Sequence, residues 1–505
     1  MKKTLIYTCL ALSISLASCE DFLKENPTGS LTTSSEVSSP EIARAFVDGA
    51  YSQLGTFNNG GGGWGGNNAS LTEFMTGKAD GNSQTEAFKF YNLEYDSRGF
   101  YLDNWWAGLY SGIAKANLAI QKIGEISSLP ATTKTNMIAE ARTMRALYYF
   151  QLVRMYGDVP KVTSLPSSLS EIQIPKSPVK EIYDEIIIPD LLEAEKSSLI
   201  WRDVSGRTSM GLIKSLLADV YLTYAGYPVQ GGNQYYAESA KRSKEIIDNG
   251  TFQLFTEYTD MINPANRNNQ EFIYQVQHEK DIRHNGLTPV TLPTLRGIAA
   301  YSDEYGGLTP RKEFIESFEA NDKRTEEKQF FYTFYKGHPS DYPAGDPRRD
   351  KLELGGYYIY KWFDQQAIDN DSKSNLNYSL YRYADVLLMY AEASNRAEGK
   401  PNDQAFKALN DVRARAKLAP VTTNNMEEFE KAVWAERYFE LCFEGKMWFD
   451  MIRTRKVRND LTKQWDNFVG HTNVYGKTFT EKNLLLPIPK REIDNNNQLQ
   501  QNSGF

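Results

Sequence analysis

The chain has 505 residues, 64 of them acidic and 57 basic for a net charge of −7, and only three cysteines. An acidic body of this size excludes nucleic acid as the main partner, because phosphate binding needs a basic face. Cys9 and Cys19 fall near the N-terminus, so Cys442 is alone in the body, no intrachain disulfide can form there, and stability must come from packing.

The N-terminus has the layout of a leader. Lys2 and Lys3 supply a positive region, residues 4 to 16 form an apolar stretch too short to span a bilayer, and Leu16-Ala17-Ser18-Cys19 looks like a bacterial lipobox. Residues 1–18 are expected to be removed, with Cys19 carrying the lipid. One acyl chain holds a protein weakly and several hold it durably, so the rest reads as a soluble body tethered to a membrane.

Helical periodicity follows. Ile42, Phe46, Ala50 and Leu54 share one face behind Ser39-Pro40, a cap with proline at the first helical position. Trp105, Leu109, Ile113, Ala116, Ile120 and Ile123 repeat the pattern. A third helix is predicted from Ala131 to Tyr156, stopped by Gly157 with Pro160 beyond, and a fourth begins at Ser177-Pro178 with a kink at Pro189.

An internal repeat is visible. The run 218–225 (ADVYLTYA) recurs at 384–391 (ADVLLMYA), matching at six of eight positions. Each copy precedes a second helix with alanines three apart, Ala237 and Ala240, then Ala405 and Ala408. Small residues at that spacing let antiparallel helices approach closely, as in tetratricopeptide-like pairs that bury their apolar faces by stacking on a neighbour. The fold class is therefore mainly α: a tetratricopeptide-like helical-repeat scaffold with an inserted, loop-rich region containing short strands. The divisions are the leader 1–18, a helical region 19–250 with a Gly-rich loop at 55–103, the insert 251–380, and a C-terminal helical region and tail, 381–505. Within the insert, 272–276 and 357–362 read as strands and Phe314 to Phe318 as helical. The basic cluster Arg453, Arg455, Lys456 and Arg458 reads as a solvated helix end.

The motifs then carry a resemblance. Trp105-Trp106-Ala107-Gly108-Leu109-Tyr110, the run from Arg145 to Pro160, Arg382-Tyr383-Ala384-Asp385, Leu409 to Arg415, Glu436-Arg437 through Phe443-Glu444-Gly445 to Trp448-Phe449-Asp450, and the closing Leu486-Pro487-Ile488-Pro489 and Gln501 to Phe505 together resemble the SusD/RagB family of outer-membrane lipoproteins. Tyr438 and Lys446 depart from that pattern at scaffold positions. The resemblance implies a non-catalytic, cell-surface glycan-binding lipoprotein that passes oligo- or polysaccharide to a SusC-like TonB-dependent transporter. Glu20 and Asp21 resemble the acidic signal for the outer face of the outer membrane. The alternatives are the same lid role with oligopeptide cargo, and a surface glycosidase.

A glycan site needs flat apolar rings for sugar C–H faces and planar polar side chains for paired hydroxyls. Trp64, the only large side chain between Gly60 and Gly66, with Asn67 and Asn68 directly after, fits that need. Tyr301, Asp303 and Tyr305 ahead of Gly306-Gly307 form a second candidate cluster, and Asp80, Tyr91, Tyr95 and Arg98 are further candidates. Gly60-x-Gly62-x-x-Gly65 matches a dinucleotide fingerprint in form only, since no strand precedes it and no helix opens on it. His278, His284, His338 and His471 lack metal-ligand spacing, so neither a metal nor a cofactor is called for. Asp303 with Glu304 is the first pair to test for glycoside hydrolysis.

Overall fold

Ser39 opens the first helix, α1 (Pro40–Tyr51), by accepting a hydrogen bond from the Ile42 N–H at 3.3 Å on its side-chain oxygen, with Pro40 at the first helical position. The structure is a computed structural model and describes residues 39–58, 68–81, 87–166, 168, 171–301 and 304–505. The leader with Cys19, and Trp64, Asn67 and Asp303, lie outside the described residues.

Two long antiparallel helices follow the short α2 (Asn68–Met75): α3 (Phe100–Glu125) and α4 (Ala131–Tyr156). Ala43, Phe46 and Val47 of α1 pack on Ala119 and Ile123 of α3 and on Met137 and Ala141 of α4. Trp105 and Trp106 are buried scaffold. Gly157 ends α4 at φ +73, a backbone region that costs glycine little, and donates its N–H to Val153 O. Proline cannot donate a helical hydrogen bond, and ahead of Pro189 the fourth helix widens into a π-turn over Tyr183–Ile187 before α5 (Ile188–Ala194).

The repeat copies form α6 (Met210–Ala225) with α7 (Asn233–Asn249), and α8 (Tyr383–Glu398) with α9 (Asp403–Arg415). Although 166 residues apart in sequence, the two pairs are neighbours, because α7 packs on both α6 and α8. Ala405 and Ala408 are buried at the close approach of α9 and α8 as their spacing predicts. Ala237 is exposed. In the first pair Ala240 is half-buried against the cores of both pairs, and a buried hydrogen bond comes from Ser239, whose hydroxyl donates to Ala218 O at 2.8 Å, one turn from the equally buried Ser243.

Three strand pairs organise the insert. β1 (Ala79–Asp80) pairs with β3 (Thr309–Pro310), β2 (Phe272–Val276) with β6 (Tyr378–Arg382), and β4 (Phe331–Tyr335) with β5 (Leu352–Ile359), all antiparallel. The strand expected to run on to Trp362 stops at Ile359, and Trp362 turns inward to donate its indole N–H to Phe443 O at 3.1 Å. The helix at Phe314 ends at Glu316, with Phe318 buried beyond it. The region 55–103 is less loop-like than its composition: Leu71, Phe74 and Met75 of α2 are fully buried.

Charges fasten the insert to α10 (Met426–Glu440) and α11 (Met447–Thr454). Buried Arg382 reaches Glu271, Glu440 and Glu444, while Arg324 reaches Asp322, Glu436 and Glu440. Burial alone would raise Glu440, but Arg415, Arg382 and Arg324 together hold it down at about 2. Arg453 is not solvated as its cluster suggested. It is buried between Glu392 (2.7 Å) and Asp450 (2.7 Å). Lys446 pairs with Asp385 at 2.9 Å and lies over the Tyr381 ring. No helix among the described residues is long and apolar enough to cross a membrane.

Candidate functional site

The insert carries an open cleft of about 390 Å³ between the loop 294–305 and the loop 337–343. Turn-forming residues shape both loops, and one carboxylate fixes the first. Buried Glu304 accepts the backbone N–H groups of Gly297 (2.8 Å), Ile298 (2.6 Å) and Ala299 (2.8 Å), curling the loop around itself. Gly297 sits at φ +69, which an L side chain adopts at a cost, and a Cβ there would lie 2.8 Å from Asp341 Oδ2, so glycine eases the approach of the two loops. The loops are also joined by the His338 N–H, which donates to Gly297 O at 2.6 Å, and by the Tyr342 hydroxyl, which donates to Arg296 O at 2.7 Å.

Tyr301 and Tyr342 line this cleft as half-buried rings, with Arg296, Ser340 and Asp341 beside them. Arg348 covers the Tyr342 ring at 4.7 Å. Arg296 lines the cleft wall, and its guanidinium also neighbours the Tyr358 phenol, where it offsets part of the rise that burial causes. Leu295 stands on the lip, 62% exposed and at φ +44, a strained conformation for a leucine. The cleft therefore offers half-buried ring surfaces beside a planar cation, a carboxylate and a hydroxyl.

The other candidates separate. Tyr305 does not line the cleft; its N–H donates to Pro289 O and its ring packs on the main core. Asp80 and Tyr91 do come together, with Arg311 and Tyr475. Arg311 Nη1 donates to both Asp80 oxygens (3.1 and 3.3 Å), the Tyr475 hydroxyl donates to Asp80 Oδ1, and Tyr91 stacks on Tyr475 with ring centroids 4.6 Å apart. Its carboxylate is thus occupied in joining β1, the insert and the C-terminal loops. Tyr95 is a core residue, stacked on Phe90 and accepting from Asn483, and it has no face for a ligand. Arg98 lies in an exposed turn, its N–H on Asp96 Oδ1, and lines neither cluster. Asn68 opens α2. Glu304 spends both oxygens on backbone N–H groups, which leaves it poorly placed for proton transfer. Arg296, Asp341, Tyr342, Arg311 and Tyr475 escape sequence reasoning, although Tyr342 before Pro343 is an aromatic in a turn of the kind that marked Tyr301.

Residues 270–505 match the SusD family model, and residues 21–222 match a model described as starch-binding, associating with outer membrane. A SusD superfamily protein from Parabacteroides distasonis is 53% identical, with a TM-score of 0.91 over 93% of this chain and 100% of its own. The chain belongs to the SusD/RagB family. SusD-like protein P2 from Formosa agariphila is 26% identical to this SusD/RagB chain, covering 100% of both. Surface glycan-binding protein A from Bacteroides thetaiotaomicron, solved in complex with laminarihexaose, is 20% identical and has a TM-score of 0.71 over 92% of this chain and 99% of its own. At that identity the likeness is one of fold. The SusD/RagB fold here is the mainly α, tetratricopeptide-like scaffold with its loop-rich insert.

Proposed function

We propose that this SusD/RagB protein is a non-catalytic glycan-binding lipoprotein of the outer face of the outer membrane, held there by Cys19. It captures oligo- or polysaccharide and delivers it to a SusC-like TonB-dependent transporter. The observation that carries this reading is the cleft itself: Tyr301 and Tyr342 supply ring surfaces while Arg296 and Asp341 supply the planar polar groups that adjacent sugar hydroxyls need. The starch-binding description of one matching model and the laminarihexaose complex of a structural relative support a sugar ligand. Asp303, and Trp64 with Asn67 and Asn68, are proposed to add ligand contacts. The structural use of Glu304 argues against hydrolysis at this cleft.

Calorimetric titration against a panel of soluble polysaccharides and oligopeptides tests the reading. A saturable heat with at least one polysaccharide, weakened by Tyr301→Ala, supports it. Heat with peptides alone would overturn it, and release of reducing ends would turn the protein into an enzyme. Cys19→Ser, followed by fractionation, tests the anchor: the variant should leave the membrane fraction.

A further inference from the structure

A second pocket, of about 360 Å³, opens where the carboxyl ends of α4 and α6 meet α11 and the C-terminal tail. Its floor is apolar, made by Val153, Val179, Tyr183, Phe449, Ile452 and Leu484. No residue of the insert lines it, so it is separate from the tyrosine cleft.

Arg455 stands at its wall. This residue follows α11 at φ +57, a backbone region that L side chains adopt only at a cost, and its guanidinium lies over the Tyr227 ring at 5.0 Å. Its side chain makes no hydrogen bond or ion pair among the described residues, and Nη1 is buried without a partner. Burial lowers its pKa, with Glu481 opposing. The surrounding charges do not satisfy it. Arg453 is committed to Glu392 and Asp450, Asp158 accepts the Val179 N–H at 2.8 Å, Glu481 is exposed at the rim, and Lys482 sits over the Phe505 ring at 4.2 Å. Arg154 is held between the Phe150 and Phe449 rings. A partly desolvated cation beside an apolar floor favours an anion that brings its own hydrocarbon.

We propose that this pocket binds a bulky apolar group bearing a carboxylate, with the hydrocarbon on the floor and the carboxylate on Arg455. Two sources share that chemistry, a free small acid and the carboxyl-terminal residue of a polypeptide.

The test is calorimetric titration of the full-length chain with N-acetyl-phenylalanine, with its carboxamide, and with a short peptide ending in a phenylalanine carboxylate. The acid should bind about tenfold or more tightly than the carboxamide. Arg455→Asn should abolish the difference while leaving polysaccharide binding unchanged, because asparagine accepts the left-handed backbone more readily than arginine. A peptide that binds tighter than the single residue assigns the ligand to a polypeptide end, and equal affinities assign it to a free acid. Equal affinity of acid and carboxamide, or no heat from any of the three at millimolar concentration, overturns the proposal. If the variant melts early, the comparison of acid and carboxamide on the natural chain still decides.

Discussion

The Tyr342 hydroxyl donates to the carbonyl oxygen of Arg296 at 2.7 Å, so the two loops that form the cleft are tied to each other by a ring that also lines it. Tyr342→Phe keeps the ring and removes the tie. A hydrogen bond of this kind contributes about 1 kcal/mol, so affinity for the bound polysaccharide should fall about fivefold. Titration calorimetry reads the loss, and a melting temperature close to that of the natural chain confirms that the loss is local.

Tyr301 and Tyr95 are both tyrosines that composition marks as candidates, yet one lines the cleft and the other is core. Tyr301→Ala should weaken polysaccharide binding by about 1–2 kcal/mol, in the range of a lost stacking partner, with little change in stability. Tyr95→Ala should destabilise by about 3–5 kcal/mol, as large-to-small core changes do. Paired urea melts and titrations separate the two. The opposite pattern contradicts these assignments.

Arg382 satisfies carboxylates from three positions: Glu271 at 2.8 Å, Glu440 at 2.7 Å and Glu444 at 2.8 Å. Arg382→Met removes the one cation shared by all three carboxylates at the joint between insert and scaffold, leaving Glu271 to Arg415, Glu444 to Lys361, and Glu440 to Arg415 and Arg324. Stability to urea should drop by about 3–5 kcal/mol, the range seen when one partner of a buried pair is removed. A drop below about 1 kcal/mol, the worth of a surface pair, would mean that the network is solvated.

Glu73 of α2 gives a pH dependence. It is buried, accepts the Gly445 N–H at 2.8 Å, and is pushed by burial from 4.5 up to about 7. The folded protein therefore holds a proton that the unfolded chain releases. That contribution is fully present below the unfolded pKa and is lost as pH rises through about 7. Glu73→Gln keeps an oxygen for Gly445 and removes the titration. Relative to the natural chain, the variant should gain about 1–3 kcal/mol between about pH 5 and pH 8. Parallel stability curves for the two proteins contradict the assignment.

Local signals were legible in the sequence where their causes were local. Ser39-Pro40 and the Gly157 stop depend on residues a few positions apart and stand where their patterns put them, and the 218–225 run recurring at 384–391 disclosed two helix pairs that pack together. Arg453 misled because its partner Glu392 is 61 residues away, so a chain-local reading leaves that cation in water. Ala237 misled because helix spacing shows which residues share a face but not which face meets the neighbour; Ser239 and Ala240 carry the contact. The cleft was half visible. Tyr301 stood out among glycines, but Tyr342 and Asp341 reach it only through the meeting of two loops some 40 residues apart, which Gly297 and the Tyr342 hydroxyl bring about.

The most direct test of the central claim is a crystal structure of the protein soaked with the polysaccharide fragment that binds best in titration. Sugar density is expected between the 294–305 and 337–343 loops, with a ring face on Tyr301 or Tyr342 and hydroxyls on Arg296 or Asp341. Density elsewhere with this cleft empty would contradict the claim.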